Sequence, residues 1–68
     1  MKIQEVKGRM VAKAIDGDTL AKKMHMNPST FYRKMKAGGD NFTVENLQVM
    51  KDVLELNAEE AVSILILS

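Results

Sequence analysis

The chain has 68 residues, no cysteine and a net charge of +1. A chain of this length has room for one small domain over residues 1–68, and such a domain buries only about 60% of the surface that the unfolded chain exposes. These features argue against a large enzyme cleft, a disulfide framework and a thiolate metal site. The longest apolar run, residues 64–67, is too short to span a membrane, and we expect a cytoplasmic protein.

The charges are distributed unevenly along the chain. Residues 1–36 hold nine of the ten basic residues and three acidic ones, a net charge of +6. Residues 37–68 hold one basic and six acidic residues, a net charge of −5. A basic face of this kind favours a polyanionic partner, because Lys and Arg that neutralise phosphates supply most sequence-independent binding to nucleic acid. The alternative is a solvated basic surface with no partner.

The first third of the chain predicts two amphipathic helices. In the first, over about residues 3–14, basic residues alternate with apolar residues at helical spacing. These apolar residues are Ile3, Val6, Met10 and Ala14. Asp16 or Asp18 can cap a second, short helix that ends near His25. Its predicted buried side consists of Leu20, Ala21 and Met24.

A third helix is predicted to begin within a few residues of the end of the second. Asn27 precedes the only proline of the chain, Pro28, an order typical of an N-cap and the first helical position. Phe31 and Met35 lie four residues apart and form the predicted core side. The opposite side carries Ser29, Tyr32, Arg33 and Lys36. Gly38-Gly39 is expected to end this helix.

The second half of the chain predicts two more helices and an apolar end. Thr43 can cap a fourth helix that ends near Leu56-Asn57. Its predicted apolar stripe is Val44, Leu47, Met50, Val53 and Leu54. Asn57 and Glu60 resemble a capping box, so a fifth helix is expected from Ala58. Its predicted inward residues are Ala61, Val62 and Leu65. The predicted fold class is therefore an all-α bundle of about five short helices, whose end, residues 64–68, is either a helix or a strand.

The second and third helices together have the layout of a helix-turn-helix. Two short helices joined by about three residues cross steeply, so the second, over about residues 28–36, can lie in the DNA major groove. Arg33 can bind guanine O6 and N7 with both arms of its guanidinium, and Tyr32 can contact a thymine methyl or a phosphate. The predicted DNA-binding residues are Asn27, Ser29, Thr30, Tyr32, Arg33, Lys34 and Lys36, together with Lys22 and Lys23 on the preceding helix.

The run DTLAKKMHMNPSTFYRKMK, followed by FTVENLQVMKDVLELN, resembles the Cro/repressor-type helix-turn-helix family of phage and bacterial regulators. The likeness covers about residues 17–57 and is strongest to small phage repressors with a PSTFYRK recognition helix. The resemblance implies a lambda-repressor-like bundle of five helices that binds an operator as a dimer. It also implies that Ala21 packs at the helix crossing and that Phe31 anchors the recognition helix. The residues that the resemblance turns toward DNA are Ser29, Tyr32 and Arg33.

Three positions depart from the pattern of that family. His25 stands where the family usually has a turn glycine, so we expect strain or a left-handed backbone there, which histidine tolerates better than most residues. Gly17 stands where many members have a glutamine that supports the recognition helix. Lys34 occupies a position that is often apolar, and Met35 takes the packing role one residue later.

The sequence carries no constellation for catalysis or metal binding. His25 is the only histidine, and no cysteine or paired carboxylate accompanies it. The methionines that fall on apolar stripes are expected in the core; they are Met10, Met24, Met35 and Met50. We therefore expect no enzymatic activity, no cofactor and no small-molecule substrate.

The predicted function is sequence-specific binding of double-stranded DNA as a Cro-like or repressor-like transcription regulator. The four large apolar residues of the tail cannot all face inward, so we expect them to form a homodimer contact. They are Ile64, Leu65, Ile66 and Leu67. A two-fold dimer predicts a pseudo-palindromic operator, although the tail can instead cover the core of its own chain. The alternative function is a protein-interaction module, such as an antirepressor, that uses the same helical face on a protein partner.

Overall fold

The computed structural model describes residues 1–67, which fold into five short helices around one core. These helices are α1 (Ile3–Ala12), α2 (Gly17–Lys23), α3 (Pro28–Lys36), α4 (Val44–Val53) and α5 (Ala58–Ala61). Helix α5 continues directly into a π-helical turn, Val62–Ile66. No strand occurs in residues 1–67, so the all-α prediction is confirmed and the strand alternative for residues 64–67 is wrong. Residue 68 lies outside the described residues.

Polar side chains cap the start of α2, α3, α4 and α5. Asp16, not Asp18, caps α2 by accepting the Thr19 N–H at 2.7 Å. Thr43 forms a capping box with Asn46 at the start of α4, and a second box at the start of α5 pairs Asn57 with Glu60. A cap satisfies a helical N–H group that has no partner within the helix, which is why these residue types mark the boundaries in the sequence.

Helices α1 to α4 all end in a Schellman turn, which passes through one residue of left-handed backbone. Those residues are Ala14, His25, Gly38 and Glu55, with φ of 54°, 56°, 91° and 54°. In each turn the following amide donates to a carbonyl five residues earlier, as Met26 N does to Ala21 O at 3.0 Å. Left-handed backbone costs a residue with a side chain about 1–2 kcal/mol. In the three turns without glycine the next residue is apolar and packs on or in the core; these residues are Ile15, Met26 and Leu56.

The core confirms most of the predicted buried residues and corrects several. The largest fully buried side chains are Val6, Leu20, Phe31, Met50 and Leu54, and the four methionines predicted in the core are buried. Three residues predicted to face inward are exposed, namely Ala14, Val44 and Val62. Ala14 lies in the turn because α1 ends at Ala12, and α4 likewise ends three residues before Leu56. Phe42, which falls in no predicted helix, is buried and lies 5.9 Å from Phe31 between ring centroids.

The C-terminal segment, which we define as residues 58–67, packs against α1. The Lys2 N–H donates to the Ile64 carbonyl at 2.8 Å, and the Arg9 guanidinium forms an ion pair with Glu60. The side chains of Ile64 and Leu65 are buried in the core. The two ends of the chain therefore pack together, and α2 and α3 each bury one side in the core and expose the other.

Candidate nucleic-acid interface

The turn between α2 and α3 sets the direction in which α3 leaves α2. Ala21 and Met24 are buried under this turn, whereas the His25 side chain is exposed. The His25 backbone is left-handed, one of the two outcomes expected from the resemblance, and its N–H donates to the Lys22 carbonyl at 3.0 Å. Backbone geometry therefore accounts for His25, which has no catalytic partner in the described part of the chain.

The N-terminal end of α3 is closed by its own side chains. The Asn27 carbonyl oxygen Oδ1 accepts the Ser29 N–H at 2.9 Å and the Ser29 hydroxyl at 2.7 Å. This confirms Asn27 as the N-cap. It also leaves only the amide nitrogen of Asn27, and the lone pairs of the Ser29 hydroxyl, for contact with a ligand.

Helix α3 separates a buried side from an exposed, cationic side. Phe31 is 1% exposed and Met35 is 6% exposed, which confirms the predicted core side. Ser29, Tyr32, Arg33 and Lys36 are all exposed. Neither Arg33 nor Lys36 forms an ion pair within residues 1–67. Thr30 is half-buried at the edge of this side. We call the four exposed residues the α3 face.

Tyr32 connects the α3 face to the start of α2. Its hydroxyl donates to Asp18 Oδ1 at 3.2 Å, and its ring packs edge-to-face against Phe31 at a centroid distance of 5.5 Å. The ring lies so close to Gly17 that a β-carbon there would overlap the Tyr32 hydroxyl and ring. Partial loss of hydration, together with the negative charge of Asp18, raises the pKa of Tyr32 above its ordinary value.

Sequence reasoning missed this contact. It treated Gly17 only as the loss of a supporting side chain, whereas the Tyr32 ring occupies the space that such a side chain would need. The signal in the sequence was a glycine at the first position of a predicted helix, and nothing in the spacing pointed to an aromatic residue fifteen positions later.

The lysines predicted to bind phosphates have different surroundings. Lys34 is half-buried, and its ammonium donates to the Asn41 carbonyl at 3.0 Å, which ties it to the loop after α3 and leaves two of its three N–H donors for a phosphate. Lys22 and Lys23 are exposed on α2. Lys23 lines a groove that also contains the carboxylates of Glu45 and Asp52. Lys22 lies near Asp16 and helps to lower the pKa of that carboxyl group, so each of the three lysines has a polar or charged neighbour.

Ion pairs join the basic first half of the chain to the acidic second half. Arg9 contacts Glu60, and Lys13 contacts Glu55 at 3.2 Å. These two pairs neutralise the positive charges of Arg9 in α1 and of Lys13 just after it. Cations without an ion pair in residues 1–67 include Lys7 on α1, Lys22 and Lys23 on α2, and Arg33 and Lys36 on the α3 face, an arrangement that the linear charge distribution alone did not specify.

The four tail residues predicted to form a dimer contact are divided between core and solvent. Ile64 and Leu65 are 4% and 5% exposed and belong to the core of their own chain, which corrects their predicted role. Ile66 and Leu67 are 61% and 57% exposed. Ile66 also lines an apolar groove of about 240 Å³ together with Val44, Leu47, Gln48, Lys51, Ala61 and Leu65.

Three further observations concern metal ligands, membrane-spanning helices and similar proteins. Within residues 1–67, no group of three or more His, Asp and Glu side chains is arranged to hold a metal ion. None of the helices in the described part of the chain has the length and apolar character needed to cross a membrane. Comparison of the chain with protein-family models, curated proteins and solved structures finds no match. The resemblance to the Cro/repressor-type family stays a prediction.

Proposed function

We propose that this protein binds double-stranded DNA sequence-specifically, as a transcription regulator that places α3 in the major groove. The observation that carries the proposal is the α3 face. It presents Ser29, Tyr32, Arg33 and Lys36 to solvent from a helix anchored on its other side by Phe31 and Met35. The left-handed turn at His25 supports the proposal, because it directs α3 away from α2 as a helix-turn-helix requires.

Arg33 is the residue that we expect to read a base. Its guanidinium is exposed and forms no ion pair in residues 1–67, so both arms are available for guanine O6 and N7. Lys36 and Lys22 would then bind backbone phosphates on either side of this base. Lys34 contributes less than the sequence predicted, since its ammonium already binds a backbone carbonyl.

Selection of bound duplexes from a random pool, followed by titration of the selected sequence, tests this proposal. Arg33→Ala should lose about 1–3 kcal/mol of specific binding, the scale of one good bidentate base contact. Arg33→Lys is the matched variant, because it keeps the charge and removes the planar fork. It should retain binding to unrelated DNA and still lose discrimination. If both variants bind the selected duplex as tightly as the parent protein, the α3 face does not read bases.

We further propose that the protein acts as a homodimer on a pseudo-palindromic operator. Ile66, Leu67 and Val44 expose apolar surface near the groove described above, and such surface favours a protein contact. A two-fold dimer would place its two recognition helices about 34 Å apart on one side of the duplex. The spacing of half-sites in the selected sequences checks this geometry independently of the Arg33 variants.

One observation favours the alternative, a module that binds a protein through the α3 face. The Asp18 carboxylate lies 3.2 Å from the Tyr32 hydroxyl, so a negative charge borders this face and opposes the approach of phosphates. The salt dependence of binding distinguishes the two functions. Binding to DNA should weaken steeply as the salt concentration rises, whereas binding through an apolar protein interface should change little.

A further inference from the structure

A groove of about 490 Å³ separates α1 from the C-terminal half of α3. Two cations from different helices line it, Lys7 of α1 and Lys36 of α3, and no acidic side chain does so. The other lining residues are Ile3, Tyr32, Met35 and Gly38. Tyr32 belongs both to this groove and to the α3 face, so the two surfaces are continuous.

Lys7 differs from the other cations in the first fourteen residues. Arg9 and Lys13 are ion-paired with residues of the acidic half of the chain, and Lys2 lies 3.8 Å from Glu5. Lys7 is exposed and forms no ion pair in the part of the chain that the structure describes. The single uncompensated cation of this segment is thus the one that faces α3.

We propose that this groove binds a phosphate of the DNA backbone, with the ammonium groups of Lys7 and Lys36 as its ligands. The inference rests on the proposed function, because a duplex lying on the α3 face brings its backbone past the end of that helix. Charge complementarity identifies the occupant, since two ammonium groups and no carboxylate line the groove. Helix α1, which lies outside the helix-turn-helix, then contributes directly to binding through Lys7.

The salt dependence of binding to a labelled duplex of arbitrary sequence tests the site. The slope of log K against log salt falls by about 0.9 for each phosphate contact removed. Lys7→Gln should therefore lower the slope by at most about 0.9 per bound protomer, because Lys36 still faces the same phosphate, so that a fourfold rise in salt weakens the variant up to about 3.5-fold less than the parent. Lys36→Gln should have a similar effect.

Lys13→Gln is the matched control. It removes the same charge just after the end of the same helix, from a side chain already paired with Glu55. Thermal unfolding of each variant checks that the fold is intact. A slope reduced by Lys7→Gln and unchanged by Lys13→Gln supports the site. Equal slopes for Lys7→Gln and the parent, or equal reductions by Lys7→Gln and Lys13→Gln, overturn it while DNA binding by the α3 face stands. A parent that binds no duplex overturns the proposed function and this site together.

Discussion

Helix α3 and residues 64–67 of the tail differ in which of their side chains are buried and which are exposed. In α3, two apolar residues four positions apart enter the core, and the residues of the α3 face lie on the opposite side of the helix. In residues 64–67 every side chain is apolar, and the first two are buried while the last two are exposed. The α3 face suits a polar, anionic partner, whereas the tail offers only apolar contact. In the function that we propose, DNA recognition and self-association would therefore use separate surfaces.

Charged substitutions in the tail test which of its residues are buried and which are exposed, and one of them has the largest expected effect. Ile64→Asp places an unpaired charge in the core, and we expect a loss of more than about 4 kcal/mol of folding free energy, which unfolds most of the protein. Ile66→Asp lies on the surface, where substitutions usually change stability by less than about 0.5 kcal/mol. Urea denaturation monitored by circular dichroism measures both effects.

Sedimentation then measures whether the folded Ile66→Asp variant still dimerises, which distinguishes an effect on assembly from an effect on folding. If Ile66 contributes to a dimer, the folded variant should be monomeric at micromolar concentrations at which the parent dimerises. A parent that remains monomeric, or a variant that dimerises equally well, removes the tail from the interface. Leu67→Asp provides a second exposed variant at the neighbouring position.

Phe31→Ala tests the buried side of α3. Phe31 is 1% exposed and contacts the rings of Tyr32 and Phe42, so its truncation leaves a cavity under the recognition helix. We expect a loss of about 3–5 kcal/mol, a large share of the 5–15 kcal/mol available to a typical domain. Tyr32→Ala, on the exposed side, should cost clearly less. An unchanged midpoint for Phe31→Ala would mean that the two sides of α3 are wrongly assigned.

Gly17→Ala tests the contact that orients Tyr32. The added methyl group would overlap the Tyr32 hydroxyl and ring, and because this end of the ring is half-exposed and can move, we expect destabilisation of about 1 kcal/mol, the lower end of the range for overpacking. Gly8→Ala is the matched control, because nothing lies within 4 Å of a β-carbon there. It should stabilise the interior of α1 by about 0.5–1 kcal/mol. Thermal unfolding compares the two variants.

A second substitution identifies the cause of the Gly17→Ala effect. If the clash with the tyrosine ring is responsible, adding Tyr32→Ala should recover most of the stability that Gly17→Ala loses. Two substitutions at contacting positions are then non-additive. Additive losses in the double variant would show that Gly17 is needed for another reason.

Local signals in the sequence were sufficient to predict the helices and the two sides of α3. Asn27, Thr43 and Asn57 cap helices through atoms within three residues of themselves, so short windows contain the whole interaction. Phe31 and Met35 were correctly placed inside because the helical period alone fixes which side they share. The left-handed backbone at His25 was expected instead from the resemblance, since that family usually has a turn glycine at this position.

Contacts between distant segments were not predictable in this way. The Tyr32 ring over Gly17, the Lys34 ammonium on Asn41 and the burial of Phe42 all depend on how the helices pack. The tail illustrates the same limit, since four apolar residues in a row carry no period that separates core from surface. Only the packing of the segment on α1 shows that Ile64 is inside and Ile66 outside.

The smallest expected effect concerns how the C-terminal segment is held to α1. The Glu60 carboxylate accepts the Asn57 N–H and pairs with Arg9, and these contacts lower the pKa of Glu60 below its ordinary value of 4.5. A lowered pKa in the folded state contributes stability above the ordinary pKa, and this stability is lost as the pH falls through the lowered value. Acid should therefore loosen residues 58–66 before it loosens α3, whose core side is apolar.

Glu60→Gln should lower the melting temperature slightly at neutral pH and flatten its decline below about pH 4.5. Some decline remains in the variant, because the Thr19 N–H lowers the pKa of Asp16 in the same way. Glu59→Gln removes the same charge from an exposed side chain without a hydrogen bond in the described chain, and it controls for net charge. Amide signals followed by NMR during acidification locate the loosening. If the signals of residues 28–36 change first, or if Glu60→Gln leaves the pH dependence as steep as in the parent, the charge of Glu60 does not hold the C-terminal segment to α1.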